Sequence, residues 1–360
     1  MTGLSELRRC MVENGVDGVL VCDEVSESYL SGFDFSDGYL AILRDKAFLV
    51  TDFRYTEAAR AKVYGDFEVV EAKGGTLHEA IDLLVRGGAA RVAFEEDAVT
   101  VSRLERMRKL ADGKLAFLGG ASAWLCALRQ VKGEGELARI ERAQVVTDAA
   151  FSHILRVMTP EMTEREVALE LEFFMRRQGA EGIAFDVIAV SGSASSLPHG
   201  VPRDKKLECG FLTMDFGARV DGYCSDMTRT VVLGKVDAEM KRLYDTVLLA
   251  QEEALSYLAS GGRGCREADA VARAIIDGAG YKGCFGHSLG HGIGRLVHEA
   301  PRLSPSVAEC DCLVSGNVVS VEPGIYIGGK YGCRIEDMVV ITDSGIRNFT
   351  KSKKELIELF

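Results

Sequence analysis

Short apolar runs alternate with amphipathic segments through the first 120 residues of the chain. Four segments have the length and apolar character of buried strands: residues 16–22, 39–43, 47–50 and 91–94. Three segments place apolar side chains at helical spacing: residues 56–62, 77–84 and 101–110. This alternation predicts a small α/β domain, which we assign to residues 1–125. Its strands carry few clustered His or acidic residues, so no chemistry is expected there.

The pattern changes after Gly119 and Gly120, which mark a break before a polar segment at 128–136. Helices are predicted at 135–158, 163–178, 238–258 and 267–276. Thr163 and Glu166 have the spacing of a capping box at the start of the second of these. Strands are predicted at 185–190, 212–220, 223–233, 318–321 and 334–341. Helix pairs separated by antiparallel strands predict an α+β catalytic domain over residues 126–360.

Charge and cysteine usage narrow the class of protein. The net charge of −11 argues against binding to nucleic acid or to anionic membrane surfaces. No run of residues has the length and apolarity of a signal peptide or a membrane-spanning helix. The ten cysteines include no Cys-x-x-Cys pair, which argues against a zinc ribbon or a redox motif. We therefore expect a cytoplasmic protein with reduced thiols and no nucleic-acid or membrane partner.

Two aspartates flank a predicted hairpin turn at Asp221-Gly222, a sequence that favours a type I′ turn. A two-residue turn there would place Asp215 opposite Thr228. Asp226, two residues from Thr228, would then lie on the same face of the sheet as Asp215. Two neighbouring carboxylates amid apolar residues repel each other unless they are protonated or bind a cation. A register shift of one residue would instead turn one aspartate to solvent.

Three of the six histidines fall within twelve residues, at His287, His291 and His298, and glycines surround them. Glycine allows the backbone to approach a bound ion closely, so this cluster favours a site of chemistry over a histidine buried in the core. Two glutamates follow on strands, Glu322 before Pro323 and Glu336 in the segment 334–341.

The segment 334–341 leaves one alternative open. Strand alternation places Arg334, Glu336, Met338 and Val340 on one face, where a carboxylate needs a partner. That partner is either a metal or an arginine, in an ion pair of Arg334 with Glu336 or Asp337. If the partner is a metal, Arg334 would hold the ligating carboxylate in its orientation without contacting the metal itself.

These segments, in this order, resemble the pita-bread metallopeptidases, the family of aminopeptidase P, prolidase and methionine aminopeptidase. Residues 29–33 and 51–58 are similar to the creatinase/prolidase N-terminal domain, so the resemblance covers nearly the whole chain. It implies an α/β N-terminal domain followed by an α+β pita-bread catalytic domain. It also implies a homodimer and five metal ligands: Asp215, Asp226, His291, Glu322 and Glu336.

The resemblance assigns further roles around those ligands. His199, His298 and Glu322 are the expected catalytic residues, with Glu322 as the proton shuttle. The expected substrate-binding residues are His199, His287, His298, Arg302 and Arg334. Two divalent ions are expected, and a donor set of one nitrogen and mostly carboxylate oxygens favours manganese, with cobalt or zinc as alternatives.

The leading functional hypothesis is hydrolysis of the Xaa-Pro bond at the N-terminus of proline-containing peptides, as in aminopeptidase P. The alternative is an Xaa-Pro dipeptidase. The resemblance places Arg302 where prolidases use an arginine to hold the dipeptide carboxylate, and members similar to aminopeptidase P can carry this arginine too. A catalytically inactive binding protein and a metal-free hydrolase similar to creatinase are less favoured, since all five ligand positions are filled.

Overall fold

The computed structural model describes residues 3–360, in two compact units that divide between Arg129 and Gln130. The domain boundary expected between residues 125 and 126 falls inside a helix, Ala121–Gln130. Within residues 3–360, no helix is both long enough and apolar enough to cross a lipid bilayer.

The first unit is an α/β sandwich. Its helices are α1 Gly3–Glu13, α2 Glu24–Ser31, α3 Phe53–Lys62, α4 Thr76–Arg86, α5 Val101–Ala111 and α6 Ala121–Gln130. Its strands are β1 Gly18–Val21, β2 Tyr39–Leu43, β3 Ala47–Thr51, β4 Glu68–Glu71, β5 Arg91–Phe94 and β6 Ala116–Leu118. They form one sheet in the order β4-β3-β2-β1-β5-β6, in which only β2 runs antiparallel to its neighbours.

Helices cover both faces of this sheet, which explains why its central strands are continuously apolar. Val19 and Val21 pack with α1, α2, α3 and α6 on one face. Leu20, between them in sequence, packs with α4 and α5 on the other face. The strands and helices predicted for this unit are present, whereas α1, α2, α6, β4 and β6 were not predicted.

The second unit contains four long helices: α7 Glu134–Val157, α8 Glu164–Arg177, α9 Ala238–Ala259 and α10 Cys265–Ile276. Its first strands are β7 Gly182–Ile183, β8 Ile188–Ser191, β9 Gly210–Phe216, β10 Ala218–Val220, β11 Tyr223–Cys224 and β12 Met227–Leu233. The remaining strands are β13 Gly290–Gly292, β14 Glu299–Leu303, β15 Val318–Val321, β16 Gly324–Ile327, β17 Tyr331–Arg334, β18 Asp337–Thr342, β19 Gly345–Asn348 and β20 Glu358–Leu359.

Two sheets carry the chemistry of this unit. One has the order β20-β12-β9-β8 and the other β14-β13-β15-β18-β19. Helices α7 and α8 pack on the first sheet through a core that includes Leu212, Met214 and Phe216. A second core joins α9 and α10 to strands of both sheets, through residues such as Val232, Val319 and Val339. The α+β arrangement predicted for the catalytic domain is confirmed.

The predicted hairpin register is confirmed. Val220 pairs with Tyr223 across the turn, and Asp215 pairs with Thr228 further along the strands. Both turn residues have positive φ, 48° at Asp221 and 75° at Gly222, as a type I′ turn requires. The register fixes which side chains of β9 and β12 share a face.

Candidate metal centre and substrate cavity

Strand alternation separates the carboxylate of Asp215 from its apolar neighbours. Leu212, Met214 and Phe216 point toward α7 and α8, so Thr213 and Asp215 project from the opposite face. The expectation that the carboxylates lie amid those apolar residues is therefore wrong. Asp215 and Asp226 instead line a cavity, with 9% and 4% of their surfaces exposed.

His291 lies at the centre of the three-residue strand β13, between two glycines that serve strand packing. A Cβ atom at Gly290 would lie 2.0 Å from the Ser320 carbonyl oxygen, and one at Gly292 would lie 2.2 Å from that of Ala300. Only glycine therefore lets β13 pack between β14 and β15. The glycines were expected to admit an ion, but the close approach they allow is to neighbouring backbone.

The two glutamates occupy strand ends. Glu322 follows β15 directly, and its backbone N–H donates to the Leu289 carbonyl oxygen at 2.8 Å. Glu336 sits in the two-residue gap between β17 and β18, so the single strand predicted at 334–341 is interrupted. Its N–H donates to the Thr228 carbonyl oxygen at 3.2 Å. This bond holds Glu336 next to the hairpin that carries Asp215 and Asp226.

These side chains converge. One ligand atom from each of Asp226, His291 and Glu336 lies within 4.8 Å of the other two. The Nε2 atom of His291 is 3.6 Å from Asp226 Oδ2 and 3.1 Å from Glu322 Oε1. Nδ1 of the same ring lies 3.1 Å from the Gly292 carbonyl oxygen, which can only accept, so Nδ1 carries the proton. Nε2 is then the nitrogen that faces the carboxylates, where it would bind a metal ion once it has lost its own proton.

Two buried oxygens in the cluster lack any hydrogen-bond partner within residues 3–360: Asp215 Oδ1 and Glu336 Oε1. An unpaired buried carboxylate oxygen is costly, and a cation satisfies it. Four carboxylates and one imidazole are also the donors that hard divalent ions bind. The residues therefore fit the metal group that the sequence predicts.

The protonation energetics agree with a cation-binding site. Burial, followed by the nearby carboxylates Glu336 and Asp215, raises the pKa of Asp226 well above its usual value. Burial, followed by the charge of Glu322, also raises the pKa of Glu336 well above its usual value. Burial also works to raise the pKa of Glu322, but the hydrogen bond and charge of His291 outweigh it and lower that pKa to about 2. The cluster holds excess negative charge that protons or metal ions must offset.

Arg334 pairs with Asp215, which was not among the partners considered for it. Its Nη2 atom lies 2.6 Å from Asp215 Oδ2, and Nε donates to Thr228 Oγ1 at 2.9 Å. The ion pair considered at sequence level, with Glu336 or Asp337, is wrong. Asp337 instead accepts from the buried Arg229 at 2.8 Å, because it follows Glu336 by one residue and points to the opposite side of the strand.

All ten residues predicted for the site line one cavity of about 580 Å³: His199, Asp215, Asp226, His287, His291, His298, Arg302, Glu322, Arg334 and Glu336. The ring of His298 lies beside that of His291, with centroids 4.3 Å apart. Burial, and secondarily His291, lowers the pKa of His298, which favours a neutral ring. Arg302, on strand β14, lines the same cavity and is exposed.

Sequence reasoning missed three polar residues that organise this cavity. Thr228 donates to Glu336 Oε2 at 2.8 Å, and Ser320 donates to Glu322 Oε1 at 3.0 Å. The hydroxyl of Tyr326 contacts both His287 Nε2, at 3.0 Å, and Arg334 Nη1, at 2.7 Å. Strand periodicity already placed Thr228 on the same face as Asp226, but it gave no indication of the hydrogen bond to Glu336. Tyr326 lies beyond a strand break, so no periodic signal pointed to it.

The clustered carboxylates and histidines form a site suited to divalent metal ions, and comparison with known proteins gives the class and the family. Residues 138–343 match the family model of Metallopeptidase family M24, and residues 4–131 match that of the Creatinase/Prolidase N-terminal domain. The chain belongs to the M24 metallopeptidases and carries the creatinase-type N-terminal domain. The resemblance, the fold and the peptidase class predicted from the sequence are thus confirmed.

Individual relatives are similar over nearly their full length. The Xaa-Pro dipeptidase of Pyrococcus furiosus is 36% identical, over 98% of this chain and 99% of its own. The structure of an Xaa-Pro dipeptidase from Bacillus anthracis matches with a TM-score of 0.93 at 40% identity, covering 99% of each chain. That of an X-Pro aminopeptidase from Thermotoga maritima matches with a TM-score of 0.89 at 38% identity, covering 96% of this chain and 98% of its own.

Proposed function

We propose that this chain is an Xaa-Pro dipeptidase that hydrolyses the bond before a C-terminal proline. The observation that carries the proposal is Arg302, whose side chain lines the same cavity as the metal-ligand cluster. No carboxylate within the described part of the chain forms an ion pair with its guanidinium. A guanidinium in that setting is suited to the free carboxylate of a dipeptide, which it can bind through two parallel hydrogen bonds.

The N-terminal aminopeptidase activity that we took first from the sequence has less support than its alternative. The Pyrococcus furiosus and Bacillus anthracis relatives are described as Xaa-Pro dipeptidases. The Thermotoga maritima structure is described as an X-Pro aminopeptidase, so similarity by itself does not separate the two activities. Arg302 supports the dipeptidase reading, because a dipeptide presents its terminal carboxylate directly after proline.

The proposed metal ligands are Asp215, Asp226, His291, Glu322 and Glu336. A pair of divalent ions, with manganese favoured by the oxygen-rich donors, would acidify a water molecule and polarise the scissile carbonyl. Behind the ligands, Thr228 and Ser320 hold two glutamate oxygens by hydrogen bonds, which fixes the direction of the remaining lone pairs.

The cavity residues then have separate roles in the reaction. The Glu322 carboxylate would accept a proton from the attacking water. It delivers that proton to the proline nitrogen as the bond breaks; this nitrogen carries no hydrogen in the substrate. His298 and His199 donate hydrogen bonds to the oxygen that gains charge and to the proline residue.

A substrate-length profile tests the proposal. The manganese-loaded protein is given the dipeptide Ala-Pro, the tripeptide Ala-Pro-Ala and the amide Ala-Pro-NH2, all at equal concentrations. A dipeptidase cleaves Ala-Pro much faster than the other two, because they lack the carboxylate next to proline. Faster cleavage of the tripeptide would support an aminopeptidase instead. No cleavage of any of the three by folded protein would reject Xaa-Pro hydrolysis.

A further inference from the structure

The first unit contains a cavity of its own, of about 540 Å³, remote in sequence from the residues of the metal centre. It lies at the end of the sheet where the parallel strands β3, β4 and β5 have their C-termini and the antiparallel strand β2 has its N-terminus. In open α/β sheets this end is where ligands bind. The walls come from the start of β2 at Tyr39 and from the N-terminal turns of α4 and α5.

Tyr39 is a buried polar side chain that lacks a partner. Only 8% of its surface is exposed, and its ring packs in the core beneath this end of the sheet. Its hydroxyl forms no hydrogen bond to any residue in 3–360, although it lines the cavity. Burial raises the pKa of Tyr39, so the hydroxyl keeps its proton and can donate a hydrogen bond. The hydroxyl is not enclosed by the protein, so a ligand in the cavity could supply its acceptor.

Two arginines from consecutive turns of α5, Arg103 and Arg106, line the same cavity. Neither forms an ion pair with a carboxylate of the described residues, whereas Arg108 on the same helix pairs with Glu105 at 3.1 Å. Guanidinium groups bind phosphate oxygens through several directed hydrogen bonds. The cavity therefore has a local excess of positive charge in a chain whose net charge is −11.

The N-terminus of α4 supplies further donors. Its N-cap residue is Gly75, at φ 113°, and no side chain caps the first turn. The N-terminus of α5 is different, since Thr100 accepts from the Arg103 N–H there. An uncapped helix N-terminus presents free N–H groups and a partial positive charge, both of which favour an anion. The hydroxyls of Thr76 and Ser102 add polar groups to the walls.

One carboxyl group acts on both Tyr39 and Arg103, that of Glu27. Burial, followed by the neighbouring Glu95, raises the pKa of Glu27 well above its usual value, which favours the uncharged acid. This shift reduces the negative charge that Glu27 sets against the arginines. Its Oε1 atom also lacks a partner, so it forms no competing hydrogen bond to them.

We propose that this cavity binds a small phosphate-bearing anion, held by Arg103, Arg106, the Tyr39 hydroxyl and the first N–H groups of α4. A phosphate offers three or four acceptor oxygens and about two negative charges, which matches this donor set better than the two oxygens of a carboxylate. The cavity is larger than free phosphate, and its hydroxyl-lined walls suit a phosphorylated polar metabolite. Inorganic phosphate and such a metabolite share the chemistry that the donors recognise.

Isothermal titration of the full-length, manganese-loaded protein tests this assignment. The probes are inorganic phosphate, glucose 6-phosphate and, as the uncharged reference, glucose. The variants are Arg103→Gln/Arg106→Gln and Tyr39→Phe, with Arg108→Gln as the matched control on the same helix. We expect phosphate-bearing probes to bind the wild type and the control equally. The double variant should bind about 100-fold more weakly and Tyr39→Phe about tenfold more weakly.

The two phosphate probes distinguish the sources of the anion. Tighter binding of glucose 6-phosphate than of phosphate indicates a phosphorylated metabolite, and the reverse indicates free phosphate. Binding that persists unchanged in the double variant belongs to the metal centre and overturns the proposal, as does a wild type that binds neither probe. Tyr39→Phe retains the ring and its packing, so it carries the test if the double variant fails to fold.

Discussion

Arg334 and Asp215 form a buried ion pair at the edge of the cluster of proposed metal ligands, with Nη2 and Oδ2 2.6 Å apart. The other Arg334 nitrogens are also bound, to Thr228 Oγ1, to the Tyr326 hydroxyl and to the Pro198 carbonyl oxygen. The guanidinium thus occupies one oxygen of Asp215 and leaves Oδ1 for a metal ion. Its position fixes the direction in which that oxygen points.

Replacement of Arg334 by lysine keeps the charge but cannot preserve four directed contacts. We predict that Arg334→Lys raises the manganese concentration needed for half-maximal activity by about 10- to 100-fold, as loss of a group behind a metal ligand does. Manganese titration of metal-depleted protein measures this. Arg347→Lys is the control, because Arg347 forms an exposed pair with Glu141. Equal titration curves for Arg334→Lys and the wild type would refute the role.

Glu322 is the proposed proton shuttle, and Glu322→Gln removes its basicity while keeping its shape. We predict that kcat falls by a factor of about 10² to 10⁴. Thermal unfolding should show an intact fold, and Glu309→Gln, at an exposed position, should retain full activity. A Glu322→Gln protein that turns over at the wild-type rate would show that the proton travels by another route.

Arg302 should control substrate length. We predict that Arg302→Gln raises KM for Ala-Pro about tenfold or more, because a hydrogen-bonded charge pair with the substrate carboxylate is lost. The same substitution should leave KM for Ala-Pro-NH2 unchanged, since this substrate lacks the carboxylate. An equal rise of KM for both substrates would mean that Arg302 shapes the cavity without binding the carboxylate.

Glu164 ties together the two ends of the loop that carries His199. Its carboxylate accepts from the Ser191 N–H at 2.7 Å and from Arg203 Nε at 2.8 Å, and its side chain is fully buried. Burial acts to raise the pKa of Glu164, but the hydrogen bonds from Arg203 and Ser191 outweigh it, and the pKa is lowered. The carboxylate thus binds its proton less readily in the folded chain than in the unfolded one.

This sign sets the pH dependence of stability. A carboxyl group with a lowered pKa stabilises the fold above its unfolded pKa, near 4.5, and that contribution is lost as pH falls through the folded pKa. We predict that Glu164→Gln destabilises the protein by about 2 kcal/mol at pH 7 and that the difference narrows toward pH 3. Urea unfolding at several pH values measures it. Glu161→Gln, in an exposed pair with Lys206, should match the wild type; a pH-independent difference for Glu164→Gln would contradict the ionic role.

The placement of the two aspartates was predictable because it depends on local rules. The Asp221-Gly222 turn fixed the hairpin register, and the register placed Asp215 and Asp226 on one face. The ligand set and the roles of its members came from resemblance to a known family rather than from periodicity. The homodimer and the cytoplasmic location stay predictions.

What the sequence did not reveal depends on contacts between segments distant in the chain. Arg334 was considered a partner of Glu336 or Asp337 because they are neighbours in sequence. The strand break at Glu336 instead changes the directions in which the side chains of Glu336 and Asp337 point. Tyr326 reaches His287 across 39 positions, which no local pattern encodes. Helices such as α2 were missed because eight residues with a weak apolar stripe carry little periodic signal.

The most direct test follows activity and metal content together in chelator-treated protein. The wild type should be inactive toward Ala-Pro without metal and should regain activity as manganese is added, up to two ions per chain. Folded Asp226→Asn should bind fewer ions and remain inactive at the same manganese concentration. Full activity of metal-free wild type, or two bound ions and wild-type activity in Asp226→Asn, would contradict a centre built from these side chains.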